Sequence, residues 1–197
     1  LTKTAAILLA AGRSSRMGQL KALLSWKGVP LIQYQIEQMK LAKIDEIIVV
    51  LGYHSEQLKR TISMYEVKVV ENDSFDEGKS SSIRKGVQSL RRKPQGIFIS
   101  AVDQPVPSGV LAEMVKHLKH TEAAAVIPTF NKKSGHPILF HGSMKNELML
   151  VNEETMGLRS IIHKFQKQIT YLDVNDSAIL LNFNRPEDYY SRRGGSK

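Results

Sequence analysis

The sequence has 197 residues, 42% apolar and 24% charged, a balance that suits one large globular domain able to bury a core without disulfide or metal staples. Cysteine is absent, which excludes disulfides, thiolate catalysis and cysteine-ligated zinc or iron–sulfur sites, and predicts an intracellular, cytoplasmic protein. With 28 Lys and Arg against 19 Asp and Glu, the formal charge of +9 favours anionic partners; no basic stripe is interleaved with aromatics, so nucleic acid is not expected, and no apolar run reaches the roughly eighteen residues of a membrane span.

Short β-rich runs alternate with helical patterns along the chain. Residues 5–10 are apolar throughout, as a strand buried on both faces is. A helix is predicted at 30–41, a strand at 46–51, a helix at 55–63 and a strand at 67–70. A helix at 80–90, a strand at 96–101, a helix at 108–119 and a strand at 123–127 follow. In 108–119 the apolar side is Val110, Leu111, Met114, Val115 and Leu118, a spacing that buries one helix face against a sheet. The later part is less regular: 137–140 reads as a short strand, 143–151 and 157–165 as helices, and 169–173 and 178–181 as edge strands. The alternation predicts a three-layer α/β fold in a single domain over residues 1–190, with a flexible basic tail over 191–197.

The sharpest signal follows the first strand: Leu9-Ala-Ala-Gly12-Arg-Ser-Ser-Arg16-Met-Gly18-Gln-Leu-Lys21. Small residues at Ala10, Ala11 and Gly12 let the backbone approach a ligand, and successive backbone N–H groups can surround phosphate oxygens. Arg16 offers a fork of donors for a terminal phosphate, and Lys21 a compact charge for an inner one. Neither the dinucleotide-binding nor the Walker A glycine pattern is matched. A solvent-exposed glycine turn without function is the alternative.

This stretch resembles the signature of the molybdenum cofactor cytidylyltransferases and their guanylyltransferase relatives, the MobA-like NTP transferases, within the wider nucleotidyltransferase superfamily. Further matches extend the resemblance in order along the chain: Gly78-Lys-Ser-Ser-Ser-Ile83 with Gly86, Asp103-Gln-Pro105, Gly135-His-Pro-Ile-Leu-Phe140, and Asn182-Phe-Asn184-Arg-Pro-Glu-Asp188. It implies a Rossmann-like fold with a mostly parallel central sheet and a nucleoside triphosphate over the C-terminal strand ends. The nucleotide would lie on Ala10, Ala11, Gly12, Arg13, Ser14, Ser15, Arg16 and Gly18, with Arg16 on the leaving pyrophosphate and Lys21 on the α-phosphate. Arg16, Lys21 and Asp103 are the implied catalytic residues. The paired alanines, Ala10 and Ala11, resemble the cytidylyltransferase form and favour CTP.

Asp103 ends an apolar run and precedes Gln104-Pro105, so its carboxylate is displayed where open α/β sheets bind ligands, a hard oxygen suited to Mg²⁺; an Asx-turn former or helix cap is the alternative. The resemblance pairs it with Asn184, a neutral residue where cytidylyltransferases commonly carry aspartate and guanylyltransferases can carry asparagine. Asn182, two residues earlier, would face the same side if this segment is extended. Gly78, Ser80, Ser81 and Ser82 are expected to open a helix and make an anion or base-edge site, with Lys79 beside them. Gly135 and His136 would shape the acceptor pocket, His136 being equally readable as a buried structural histidine.

The resemblance thus implies Mg²⁺-dependent transfer of CMP from CTP to the terminal phosphate of molybdopterin, with a molybdenum hydroxylase as recipient of the product. Two alternatives stay open. One is nucleotidyl transfer with GTP or onto a sugar or polyol phosphate; the other is a non-catalytic molybdenum-cofactor-binding accessory protein, kept alive by the missing carboxylate at Asn184.

Overall fold

The computed structural model describes residues 3–91 and 93–193. Its elements, in chain order, are β1 (Thr4–Ala10), β2 (Ser25–Trp26), β3 (Val29–Pro30), α1 (Leu31–Leu41), β4 (Glu46–Leu51), α2 (Ser55–Ile62), β5 (Lys68–Glu71) and α3 (Lys79–Gln88). They continue with β6 (Gly96–Ala101), α4 (Ser108–Lys119), β7 (Ala125–Phe130), β8 (Lys133–Ser134), β9 (Ile138–His141), α5 (Lys145–Met149), α6 (Leu158–Lys164), β10 (Ile169–Asp173) and α7 (Pro186–Arg193). The main sheet runs β10-β7-β9-β6-β1-β4-β5, with β8 paired to β7. The pairs β1–β4, β1–β6, β4–β5 and β7–β10 are parallel, whereas β9 runs antiparallel to both β6 and β7. This is the three-layer, mostly parallel, Rossmann-like α/β fold that the sequence predicts.

The two cores explain why β1 is apolar at every position. Because side chains alternate across a strand, Ala6, Leu8 and Ala10 join one core with Ile32, Ile36 and Met39 of α1, Leu58 of α2 and Met114 of α4. Ala5, Ile7 and Leu9 join the other with Ile83 and Val87 of α3, Leu148 of α5 and Ile161 of α6. Helix α3 packs tightly on the sheet at Gly86, where a Cβ would clash with Ile7 Cγ2 and meet Val50 Cγ2 at 3.1 Å.

Several boundaries differ from the sequence expectation. The edge strand expected at 178–181 is instead a single 3-10 turn, Ser177–Leu180, because the Asp176 side chain accepts the Ala178 N–H at 2.8 Å and caps it. The helix expected at 143–151 starts as a 3-10 turn, Gly142–Met144, and ends at Met149. Two-residue strands carry no readable alternation, so the β2–β3 hairpin had no signal beyond Gly28; its turn residues Lys27 and Gly28 have φ of 50° and 89°, the positive pair of a tight hairpin turn. Helix α7 begins at Pro186, a residue preorganised for a first helical position, with the Asp188 carboxylate accepting the Arg185 N–H at 2.9 Å. Ser191, Arg192 and Arg193 close this helix; the rest of the expected tail, 194–197, lies outside the described residues. Among the described residues no helix is long and apolar enough to cross a membrane.

The contact at Gly86 yields a direct test. Gly86→Val should lower stability by about 1–3 kcal/mol, the usual cost of overpacking a filled core, read as a lower urea midpoint at unchanged slope. A variant as stable as the parent would contradict the close α3–β1 approach.

Candidate active site

Chain connections leave β1 toward β4 and β5 on one side, while β6 pairs on the other, so the sheet order reverses between β1 and β6. Such a reversal opens a crevice beyond the C-terminal strand ends. A cleft of about 490 Å³ lies there. Of the residues singled out in the sequence, Ala10, Ala11, Gly12, Ser14, Arg16 and Lys21 line it from the β1 side, Asp103 and Asn184 from the β6 side, and Gly78 and Ser82 from the start of α3.

Hydrogen bonds set Asp103 in place. Val102 N–H donates to Leu9 O at 3.0 Å, carrying β6 alongside β1, and Gln104 N–H closes a turn on Ala101 O at 3.1 Å. The buried Gln35 of α1 donates its amide to Ala101 O and Gln104 O at 3.0 and 2.7 Å, gripping the turn from below. Phe183 N–H then donates to Asp103 O at 2.9 Å. The Phe183 ring is fully buried, 5.1 Å from Trp26 and 5.5 Å from Tyr189, so the flanking Asn182 and Asn184 both reach the cleft.

Lys21 sits on a one-turn 3-10 helix, Lys21–Leu23, and its N–H is accepted by Ser14 Oγ at 3.1 Å. Its Nζ donates to Asp103 Oδ2 at 2.6 Å and to Asn184 Oδ1 at 2.9 Å. The Lys21 and Asp103 side chains are only 13% and 15% exposed, so this pair is poorly screened. The same oxygens suit a divalent cation. Asp103 Oδ2 and Asn184 Oδ1 already converge on a positive charge, and Asn182 Oδ1 is the buried side-chain polar atom left without a partner among the described residues. One carboxylate and two amide oxygens fit Mg²⁺, which binds few protein oxygens and completes its shell with water and substrate phosphate. Among the described residues no group of three or more His, Cys, Asp or Glu converges to hold a metal by itself.

Around the β1 loop, Ser15 is exposed on a 3-10 turn, Ser15–Met17, which Gly18 ends with φ of 72°. Arg13 does not line the cleft; it forks onto Asp76. At α3, Ser81 and Ser82 turn inward to accept from Asn72 Nδ2 at 2.9 and 3.0 Å, and the N–H of the buried Ser80 donates to Glu153 Oε1 at 2.6 Å. Lys79 is exposed on the cleft side, with neighbouring protein crowding its ammonium. That enclosure holds its ammonium below the ordinary lysine range, opposed by Asp103 and Glu153 and reinforced by Lys21. Gly135 is packed against the Ile179 carbonyl, 2.5 Å from where a Cβ would stand. The half-buried His136 is held below its usual range by burial and then by Lys79, with Asp103 opposing, so it sits within electrostatic reach of the site without lining the cleft.

Residues 6–169 match the MobA-like NTP transferase domain. The chain belongs to that family. It is similar to a probable molybdenum cofactor guanylyltransferase of Bacillus cytotoxicus, 29% identical over 196 residues and 96% of each chain. It is also similar to the molybdenum cofactor cytidylyltransferase of Escherichia coli, 23% identical over 188 residues, which are 95% of this chain and 94% of the relative. Among solved structures, Rv0371c from Mycobacterium tuberculosis superimposes with a TM-score of 0.84 at 24% identity, over 96% of this chain and 97% of that one. The protein is thus a nucleotidyltransferase of the MobA-like type.

Three supports of this MobA-like site escaped the sequence reading. Gln35 had a usable signal, since it lies among Leu31, Ile32, Ile36 and Met39 on the buried face of α1. Glu153 and Asp76 had none, because their partners lie 73 and 63 residues away. Gln35→Leu leaves Ala101 O and Gln104 O without that donor, and should cost about 1–3 kcal/mol in chemical denaturation, the range for unsatisfied buried groups. It should also lower the transferase rate by loosening the Asp103 turn. Unchanged stability and rate would show that Gln35 does not position it.

Proposed function

We propose that this MobA-like transferase moves CMP from CTP to the terminal phosphate of molybdopterin and releases pyrophosphate. The observation that carries the reading is the convergence of Lys21 on Asp103 and Asn184 at the β1–β6 crevice, beside the glycine-rich loop. An anionic oxygen of the acceptor phosphate attacks the α-phosphorus in line. The new P–O bond forms as the bond from the α-phosphorus to the bridging oxygen breaks, and pyrophosphate leaves with that oxygen and its electron pair. The nucleophile is already ionised, so no protein base is required.

Lys21 stabilises charge on the α-phosphate, Arg16 takes the leaving phosphates, and the loop amides near Gly12 and Ser14 hold the triphosphate. Asp103, Asn184 and Asn182 would hold Mg²⁺, which when bound neutralises phosphate charge. Lys79 and His136 lie on the acceptor side, where a phosphate dianion favours Lys79 in its charged form. The paired alanines Ala10 and Ala11, which resemble the cytidylyltransferase form, support CTP. GTP is the second reading, favoured by Asn184 and by the greater identity with the guanylyltransferase relative.

Pyrophosphate release by the purified protein with Mg²⁺, across CTP, GTP, ATP and UTP with and without molybdopterin, should be confined to CTP and depend on the pterin. Preference for GTP would establish the second reading, and release only with sugar or polyol phosphates would overturn the acceptor. Lys21→Ala should fold, by circular dichroism, yet lose about 10²–10³ in turnover, the scale of a lost charge-stabilising donor. Asn184→Asp, by adding a second carboxylate, should lower the Mg²⁺ concentration giving half-maximal rate; a higher one would place the metal elsewhere.

A further inference from the structure

The β1 loop is anchored firmly at its base. Tyr53 N–H donates to Ala11 O at 3.0 Å, and Met17 is buried in the core. Its outer part, Gly12 to Arg16, is mostly exposed, and Ser14 has φ of 56°. There Arg13 reaches across to the loop after β5. Its Nε and Nη2 donate to Asp76 Oδ1 and Oδ2 at 2.7 and 2.6 Å, a bidentate fork. The guanidinium carbon lies 5.1 Å from the Tyr53 ring centre and 5.2 Å from that of Phe75, both within cation–π range. The Phe75 ring in turn lies against Gly52, where a Cβ would come within 2.8 Å of it. The loops after β1, β4 and β5 therefore meet on one guanidinium.

Gly12 and Phe75 both line the cleft, so the bridge between their neighbours spans its β4–β5 end, away from Lys21 and Asp103. The Arg13 and Asp76 side chains are 53% and 60% exposed, and so exposed a pair adds little to folding. What the fork and the two rings fix is position. The contact also holds the Asp76 carboxyl below its usual range and raises Arg13, so the bridge stays ionised on both sides.

We propose that Arg13 and Asp76 form a latch over the nucleotide end of the cleft, holding residues 12–16 closed on the bound nucleoside triphosphate and setting how long it stays. Arg13 then acts through the loop, as a positioning residue, in contrast to the direct nucleotide contact that the sequence resemblance implies. This rests on the reading that the cleft takes a nucleoside triphosphate.

The test compares Arg13→Ala, Asp76→Ala, the double variant and the reciprocal exchange Arg13→Asp with Asp76→Arg, using the full chain and CTP or GTP. Asp76→Ala should raise the nucleotide KM and speed nucleotide dissociation by about two- to fivefold, the effect of losing one exposed ion pair, while the rate at saturation falls less than twofold. The double variant should be no worse than either single one, and the exchange should recover part of the loss. Arg13→Ala weakening nucleotide binding with Asp76→Ala neutral would overturn the latch in favour of direct contact, and no effect from either would overturn it too. Amide exchange over residues 12–16 in the nucleotide-free protein should be faster in both single variants. If the parent binds no nucleotide, the transferase reading fails, and the exchange rates alone decide the latch: unchanged rates overturn it.

Discussion

Everything at the site hangs from a strand that water does not reach. β1 is flanked by β4 and β6 in parallel register and covered on both faces, and its seven residues are all buried. The strand in that position carries no charged side chain, so the chemistry must begin where it ends. That end is the Ala10-Ala11-Gly12 run, in which small side chains keep the crevice open. The same demand recurs on the neighbouring strand: β6 is buried throughout and delivers its first ionisable residue, Asp103, two residues past its end. The parallel register that aligns Leu9 with Ala101 is what brings the two chain reversals side by side.

From that alignment the electrostatics follow. Lys21 and Asp103 are 82 residues apart and Lys21 and Asn184 are 163 apart, yet one ammonium bonds both. The convergence depends on apolar packing more than on charge. Phe183, clasped by Trp26 and Tyr189, fixes the segment whose alternate residues are asparagines. The β2–β3 hairpin, which carries no chemistry itself, supplies Trp26 and a carbonyl at Ser25 that accepts the Tyr189 hydroxyl at 2.6 Å. A perturbation there should reach the Asn182 and Asn184 oxygens without touching Lys21 or Asp103.

The sequence was most legible where one local rule governed the outcome. The fully apolar runs at β1, β4 and β6 and the amphipathic spacing of α4 are read directly from periodicity. The glycine-rich loop and Asp103 are legible for a related reason, since both are abrupt changes of residue type at the end of an apolar strand. Legibility failed where a distant partner decides. The Asp176 cap turned an apolar run at 178–181 into a 3-10 turn, and the inward rotation of Ser81 and Ser82 is set by Asn72. The pairing of Arg13 with Asp76 belongs to the same class. A basic residue in a phosphate-binding loop reads naturally as a ligand of the phosphate, and nothing local reveals a carboxylate 63 residues on.

The choice of asparagine at position 184 gains a physical meaning from the Lys21 geometry. In the proposed reaction Lys21 must leave its resting partners for the α-phosphate. With one carboxylate and one amide as partners, that departure breaks a single charge pair. A second carboxylate at 184 would hold the ammonium with about twice the charge and slow its transfer, although it would grip a divalent cation more strongly. The neutral amide therefore favours mobility of the lysine over affinity for the metal. The cations nearby, Arg16 and Lys79, favour a polyanionic substrate: among the described residues lining the cleft, Asp103 is the one acidic side chain beside Lys21, Arg16 and Lys79. In the proposed reaction a site so biased would gather phosphate first, and the bound phosphates would then supply the negative oxygens that Asn184 withholds.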